Sequence, residues 1–318
     1  MTLRRLLPGL SASLAGAVVL ALLPFALSEF HTALAAQVGI FFVAVLGLNI
    51  LTGYSGQISI GHGAFMAIGG YTTAILSRDH HTNLVLTMLA AFAICFVFGL
   101  LLGLPALRLS GVYLALATFA LAVSVPQVAL KFDRFLGGSN GVQSRETVSH
   151  TWLYGASWTA AAVLFVVAWL LLRGRVGRAF RAIRDSEVAA VSAGIALPIY
   201  KTLAFGISAA YAGVAGSLFV MGTNGFAQPN EFDVVLSLQL LVGAAVAGLG
   251  SLWGIPVGAA FVALLPTISK DVPLLGSAHG QDVVFGLLVV LVMLLLPQGF
   301  AGFLRTLTRL RPRAGEGT

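Results

Sequence analysis

The chain is a series of long apolar stretches separated by short polar segments. A membrane-spanning helix needs about 20 mainly apolar residues, because the hydrocarbon core of a bilayer is about 30 Å thick. Helices are the expected form, since backbone polar groups find no water partners in lipid. By this criterion the sequence predicts ten spans, which cover residues 10–27, 33–51, 58–76, 84–104, 112–130, 152–172, 202–221, 234–249, 255–268 and 283–296.

Three segments interrupt this pattern. Residues 53–63 are rich in glycine and polar side chains, yet they lie where two spans meet. Each glycine weakens a helix by about 1 kcal/mol relative to alanine, so we expect a broken helix that faces protein or a cavity rather than lipid. The other two interruptions are a loop at 131–151 and a loop at 173–201, the only long stretch with dense charge.

Polar side chains in or beside the glycine-rich break are candidates for a translocation path. For Gln57 and Ser59, lining of a pore and helix–helix hydrogen bonding remain equally open. A lone histidine among glycines is more often hydrogen-bonded structure than a proton relay. The candidate set is Asn49, Gln57, Ser59 and His62.

Composition supports membrane insertion. Hydrophobic residues make up 58% of the chain and charged residues 9%, whereas soluble domains carry roughly 25% charged residues. The predicted fold class is therefore all-α, a polytopic transmembrane helical bundle that forms a single domain over residues 1–318. The first apolar stretch follows two arginines and resembles a signal peptide, but it is longer than the usual h-region of about 7–15 residues. We expect it to be an uncleaved first span.

The basic residues divide unequally between the two sides of the predicted bundle. Cytoplasmic loops carry an excess of Lys and Arg, and with ten spans and a cytoplasmic N-terminus 13 of the 18 basic residues face the cytoplasm. The C-terminal tail at 305–318 is then also cytoplasmic. Since topology explains the net charge of +7, no nucleic-acid partner is expected. The 13 residues are Arg4, Arg5, Arg108, Arg173, Arg175, Arg178, Arg181, Arg184, Lys201, Arg305, Arg309, Arg311 and Arg313.

Enzyme motifs are missing from the sequence. It contains no G-x-x-x-x-G-K-[ST] phosphate loop, no H-E-x-x-H pair and only one cysteine, and these motifs mark ATP and metal sites. We expect no catalytic residue, no metal and no bound cofactor. An ion-driven secondary carrier is the less favoured alternative, because such carriers keep ionisable groups in the membrane and the predicted spans hold no Asp, Glu, Lys or Arg. A passive channel also stays open.

The charged loop at 173–201 predicts an amphipathic surface helix. Val176, Phe180 and Ile183 recur at helical spacing and form one apolar face. Arg181 and Asp185 are spaced for an ion pair within the helix. A basic helix of this kind also suits the lipid headgroup region, so composition alone leaves two interpretations open.

The segment that follows offers a surface for another protein. Ala189, Ala190, Ala193 and Gly194 are small enough for close approach, and Glu187 is expected to pair with a basic residue of the partner. The pattern Glu187, Ala189, Ala190 and Gly194 resembles the E-A-A…G cytoplasmic loop of ABC-importer permeases, although Val188 separates the glutamate from the alanines.

The whole chain resembles LivM-type branched-chain amino acid ABC transporter permeases. The matching stretches follow in family order along nearly all of the sequence. They are residues 49–71 (NILTGYSGQISIGHGAFMAIGGY), 109–118 (LSGVYLALAT), 137–142 (GGSNGV), 177–190 (GRAFRAIRDSEVAA), 212–216 (AGVAG), 248–251 (GLGS), 254–259 (GIPVGA) and 297–302 (PQGFAG).

This resemblance implies an importer of several chains in a bacterial inner membrane. Its implied partners are a homologous second permease, two ATP-binding subunits that hydrolyse ATP, and a periplasmic substrate-binding protein. The implied substrates are branched-chain amino acids, and urea, short amides or aromatic acids are alternatives. The implied ATPase-coupling residues are Arg181, Arg184, Asp185, Glu187, Ala189, Ala190 and Gly194.

Overall fold

The structure, a computed structural model, describes residues 28–80, 82–109, 111–145 and 148–270, with isolated positions 286, 287, 294, 299, 300 and 302. These residues are predominantly helical, as the fold class predicts. Six helices in the described part are long and apolar enough to cross a membrane. The predicted span 10–27 and the tail 305–318 lie outside the described residues, and span 283–296 is described at only three positions.

Eleven α-helices can be assigned in the described part of the chain. They are α1 (Glu29–Leu48), α2 (His62–His80), α3 (Leu84–Ala106), α4 (Val112–Lys131), α5 (Asp133–Leu136), α6 (His150–Arg173), α7 (Arg175–Asp185), α8 (Glu187–Ser192), α9 (Leu197–Gly222), α10 (Val234–Ala247) and α11 (Ile255–Lys270). A π-helical turn (Asn49–Tyr54) and 3-10 turns (Gly138–Asn140, Pro229–Phe232) complete the set.

Helix starts follow local capping chemistry. The side chains of Asn83, Ser149 and Asp233 each accept a hydrogen bond from a backbone N–H in the first turn of α3, α6 and α10. Such caps satisfy N–H groups that have no partner within the helix. The predicted span starting at 58 was wrong by four positions, because helix α2 begins only at His62.

Helices α1 and α9 form the centre of the bundle. Within an apolar stretch of 18 residues, 78% of the residues are buried in α1 with its π-helical turn, and 83% are buried in α9. The corresponding share is 28% in α3 and in α4 and 22% in α6. Helix α9 packs against α1, α2 and α3. The weakly buried helices therefore supply the surface available to lipid or to other subunits.

Glycines allow the closest helix contacts around α9. A Cβ atom on Gly213 would lie 2.6 Å from the Cys95 sulfur of α3, and one on Gly216 would overlap the Met66 carbonyl of α2. A Cβ on Gly99 of α3 would lie 2.7 Å from the Phe205 carbonyl of α9. Small residues let membrane helices approach in this way, where van der Waals packing drives association.

Two loops at one end of the bundle are joined by a short antiparallel sheet. Strand β1 (Val142–Gln143) pairs with β2 (Phe226–Ala227). The Ser144 and Ser77 hydroxyls lie 2.7 Å apart, which ties the same loop to α2. The connections between α4 and α6 and between α9 and α10 thus form one cover over this end.

Candidate functional site

The chain leaves regular helical geometry between α1 and α2, in the region where the sequence predicts a break. The π-helical turn follows α1 directly, and the Ser55 N–H bonds to the Ile50 carbonyl five residues back. Gly56 then takes a positive φ of 75°, a conformation that favours glycine. The interruption starts at Asn49, four positions earlier than the glycine-rich pattern indicates.

Asn49 fastens the π-helical turn to the loop between α10 and α11. Its amide Nδ2 donates to the Ser251 carbonyl at 2.8 Å, and its Oδ1 accepts from the Gly250 N–H at 2.9 Å. The side chain is fully buried. Both halves of the amide are satisfied, so Asn49 acts here as a link between two segments about 200 positions apart.

Gln57 and Ser59 make internal hydrogen bonds in this conformation. Gln57 Nε2 donates to the Ser55 hydroxyl at 2.9 Å and to the Lys201 carbonyl at 3.4 Å. The Ser59 hydroxyl accepts from the Gly61 N–H at 3.3 Å. Both side chains are buried. Their role in a translocation path stays a prediction.

His62 connects three central helices. Its Nε2 lies 3.1 Å from the Ser208 hydroxyl, and that hydroxyl donates to the Gly47 carbonyl at 2.7 Å. Since the hydroxyl proton is used for Gly47, His62 Nε2 must be the donor. The ring is fully buried, so it ties the first turn of α2 to α9 and α1.

The predicted amphipathic helix is α7. Phe180 and Ile183 are buried and Val176 is half-buried, so the predicted apolar face packs against the bundle. The predicted pair of Arg181 with Asp185 was wrong. Arg181 Nη1 instead donates to the Leu172 carbonyl at the end of α6, at 3.1 Å.

Arg184 reaches from α7 to the broken helix. Its Nη1 donates to the Gly53 carbonyl of the π-helical turn at 2.9 Å, and its Nη2 lies 3.2 Å from the Asp185 carboxylate. Asp185 therefore pairs with its neighbour and holds the guanidinium that contacts Gly53. The charged loop at 173–201 and the glycine-rich break, separate motifs in the sequence, thus come into contact at Arg184 and Gly53.

Glu187 pairs within the chain, and the expectation of a basic partner on another subunit has no support here. Its Oε1 lies 2.6 Å from Lys201 Nζ on α9. The Ser186 side chain caps α8 by accepting from the Ala189 N–H. The ion pair closes the turn between α8 and α9 and fixes the orientation of α8.

A left-handed glycine ends α8. Gly194 has a φ of 80°, and its N–H bonds to the Val191 carbonyl while the Ile195 N–H bonds to the Ala190 carbonyl. This is the Schellman arrangement of helix ends. A Cβ atom on Gly194 would meet no other atom within 4 Å, so the tip is open.

The small residues of α8 divide between two faces. Ala189, Ala193 and Gly194 are exposed, together with Val188 at 79% exposure. Ala190 was expected on the same surface, but it is 2% exposed and packs inward. The exposed set forms an uncovered apolar surface beside the charged α7. Among the described residues, no cluster of His, Cys, Asp or Glu suited to a metal ion is present.

Comparison with known proteins agrees with these features. Residues 30–294 match the family described as branched-chain amino acid transport system / permease component. The chain is 30% identical to the high-affinity branched-chain amino acid transport system permease protein LivM of Salmonella typhimurium and of Escherichia coli, over 92% of this chain and 75% of each relative.

A further relative matches a smaller part of the chain. The autoinducer 2 import system permease protein LsrC of Klebsiella pneumoniae is 30% identical over 50% of this chain and 48% of that protein. No solved structure gives a significant match. Because the family match spans most of the sequence and six helices suit a bilayer, the chain is a multi-pass membrane protein that belongs to the permease-component family of branched-chain amino acid transport systems.

Proposed function

We propose that this permease component moves branched-chain amino acids across the bacterial inner membrane as one subunit of an ATP-driven importer. The observation that carries the proposal is the similarity to LivM over 92% of the chain. Family members are transport subunits rather than enzymes, and ATP is the fuel of separate subunits. Urea, short amides and aromatic acids are the alternative cargoes.

The complete importer in this proposal has further subunits of three kinds. A homologous second permease completes the path through the bilayer, two ATP-binding subunits supply energy, and a periplasmic binding protein delivers the substrate. This chain binds no cofactor in this scheme. The support is the resemblance of the whole sequence to such systems, together with the large apolar surface of α3, α4 and α6.

The proposed topology has ten spans in one domain, with both termini, the 173–201 segment and the 305–318 tail in the cytoplasm. The excess of Lys and Arg in the assigned cytoplasmic loops supports it. The contacts of α7 with the break also suit this topology, because both connections then lie on the same side of the membrane. A reporter fused after residue 318 that is active only in the periplasm would overturn the assignment.

The ATP-binding subunit docks on α7 and α8 in this proposal. Val188, Val191 and Ile199 are exposed at 79%, 55% and 65%, and α8 continues through a tight turn into the central helix α9. Exposed apolar patches mark sites of protein–protein contact, which supports docking of a partner here. Movement of a docked ATPase would thus reach the most buried helix of the bundle directly.

Two measurements test the proposal. ATP-dependent uptake of labelled leucine by cells with and without this chain, compared with labelled urea, identifies the cargo. Docking is tested with Gly194→Asp. The variant Gly194→Asn is the control for backbone strain, because asparagine tolerates the left-handed turn better than most residues. We expect both variants to insert normally and to lose co-purification of the ATP-binding subunit. Normal co-purification and uptake with both would show that docking occurs elsewhere.

A further inference from the structure

Arg184 is the side chain through which α7 hydrogen-bonds to the π-helical turn. Its guanidinium donates to the Gly53 carbonyl at 2.9 Å, and Gly53 belongs to the same turn as Asn49, which holds the Gly250 and Ser251 backbone. We propose that Arg184, Gly53, Asn49 and the Gly250–Ser251 backbone form a coupling clamp, which makes α7, the end of α1 and the α10–α11 loop move as one unit.

The Gly53 carbonyl lies in the last turn of this helical segment, and the last four carbonyls of a helix have no N–H partner within it. Here the Ser55 N–H bonds to Ile50 and the Gln57 N–H bonds to Leu51, so neither takes the Gly53 carbonyl. This carbonyl is then available to the guanidinium. Single π-helical turns within α-helices are frequently found at functional sites, and this one presents a carbonyl to the coupling segment.

The clamp is packed as well as hydrogen-bonded. A Cβ atom on Gly56 would lie 2.9 Å from Arg184 Cγ, and one on Gly250 would lie 2.8 Å from Arg184 Nη1. A Cβ on Gly53 would overlap both Asn49 Oδ1 and the Gly250 nitrogen. Three glycines thus bring two backbone segments against one arginine side chain. Close packing of this kind transmits displacement rather than absorbing it.

The neighbouring arginines provide an internal comparison. Arg181 donates to the Leu172 carbonyl at 3.1 Å, and Arg178 lies 3.5 Å from the Arg173 carbonyl, so both contact the end of α6. Arg184 alone of these three crosses to the π-helical turn at the end of α1. It is a positioning residue rather than a contact for substrate, and it gives the coupling segment a second route into the bundle besides α9.

This inference rests on the proposed function, and the test uses the full importer reconstituted in liposomes with its ATP-binding subunits and binding protein. The variant is Arg184→Met, Arg184→Lys is the conservative variant, and the matched control is Arg178→Met on the same helix. The readouts are co-purification of the ATP-binding subunit, ATP hydrolysis, and leucine moved per ATP.

For Arg184→Met we expect normal co-purification and continued ATP hydrolysis, with leucine per ATP reduced about tenfold, the effect of losing one charge-assisted hydrogen bond. Arg184→Lys should recover part of the loss, and Arg178→Met should match the wild type. An unchanged leucine-per-ATP ratio in Arg184→Met would refute the clamp. Absence of leucine uptake or of co-purification in the wild-type importer would refute the proposed function instead.

A covalent replacement of the clamp gives a second, independent readout. A Cβ on Gly56 would lie 3.2 Å from Arg184 Cβ, close to the usual disulfide separation of about 3.5–4.5 Å. The chain has a single cysteine of its own, Cys95, which is buried. In the Gly56→Cys/Arg184→Cys variant we expect poor coupling when reduced and recovery on oxidation, with Gly56→Cys alone as the control for backbone strain. Oxidation that blocks transport would refute the clamp by showing that these segments must separate. Oxidation that leaves transport as low as before oxidation would refute it by showing that joining them does not restore coupling.

Discussion

Removal of the carboxylate charge in Glu187→Gln should destabilise the permease itself rather than weaken a contact with a partner. Lys201 Nζ lies 2.6 Å from Glu187 Oε1, and the lysine side chain is 8% exposed while the glutamate side chain is 47% exposed. The substitution keeps the shape of the side chain. It leaves the Lys201 ammonium largely buried beside a neutral amide, and the desolvation penalty of that ammonium is no longer offset.

The size of the effect follows from this unequal burial. An exposed ion pair contributes about 0.2–1 kcal/mol, and removing one member of a buried pair costs about 3–5 kcal/mol. With one partner buried and the other half-exposed, we expect a loss of about 2 kcal/mol in the free energy of unfolding, or about 30-fold in the unfolding equilibrium. Partial access of the ammonium to water keeps the value below the buried limit.

A double-mutant cycle separates the pair from its individual members. The free energy of unfolding is measured by SDS titration of the purified permease for Glu187→Gln, Lys201→Met and the double variant. The double variant should be more stable than Glu187→Gln, because removing both members of the pair leaves no unpaired charge. Asp185→Asn breaks the exposed pair with Arg184, in which the Asp185 side chain is 68% exposed and the Arg184 side chain is 38% exposed. This variant should change the free energy of unfolding by less than about 1 kcal/mol.

One result would refute this reasoning. If Glu187→Gln unfolds like the wild type and instead reduces co-purification of the ATP-binding subunit, Glu187 pairs with the partner and the contact with Lys201 does not persist in the importer. A loss in the double variant equal to the sum of the two single losses would likewise show that the two side chains do not interact.

Two further predictions concern the centre of the bundle. Gly216→Val should abolish the yield of monodisperse protein in size-exclusion chromatography, because its Cβ would overlap the Met66 carbonyl. The control Gly155→Ala should behave as the wild type, since no atom lies within 4 Å of the new Cβ. Cys95 is buried between helices, so a maleimide should label it only after denaturation in SDS; labelling in intact membranes would contradict the packing of α3 on α2 and α9.

Much of the helical framework was predictable because apolar length and capping are local properties. The predicted spans 84–104, 152–172 and 202–221 fall within α3, α6 and α9, and polar caps such as Asn83 lie directly beside the apolar stretches in the sequence. The amphipathic face of α7 was equally readable from three apolar positions at helical spacing. In each case the decisive signal lies within about one helix length.

The contacts of the candidate site were not predictable in the same way. The helix break was expected from its glycines, but the bond from Arg184 to Gly53 joins positions 131 apart, and the bond from Asn49 to Ser251 joins positions 202 apart. No local pattern encodes such pairings. The pairing of Glu187 with Lys201 was missed for a related reason, because it depends on the reversal of direction at Gly194, which brings the starts of two helices together.

Helix α9 is a single uninterrupted rod of 26 residues, about 39 Å long at the usual helical rise. One end carries Lys201 beside Glu187 of α8, and the other runs into the turn before β2, which is tied to β1 and through Ser144 to α2. Because α9 is continuous between these ends, a tilt of α9 at the α8–α9 turn would also move the end that leads into the β1–β2 cover. One helix thus links the α7–α8 segment at one end of the bundle to the loop cover at the other.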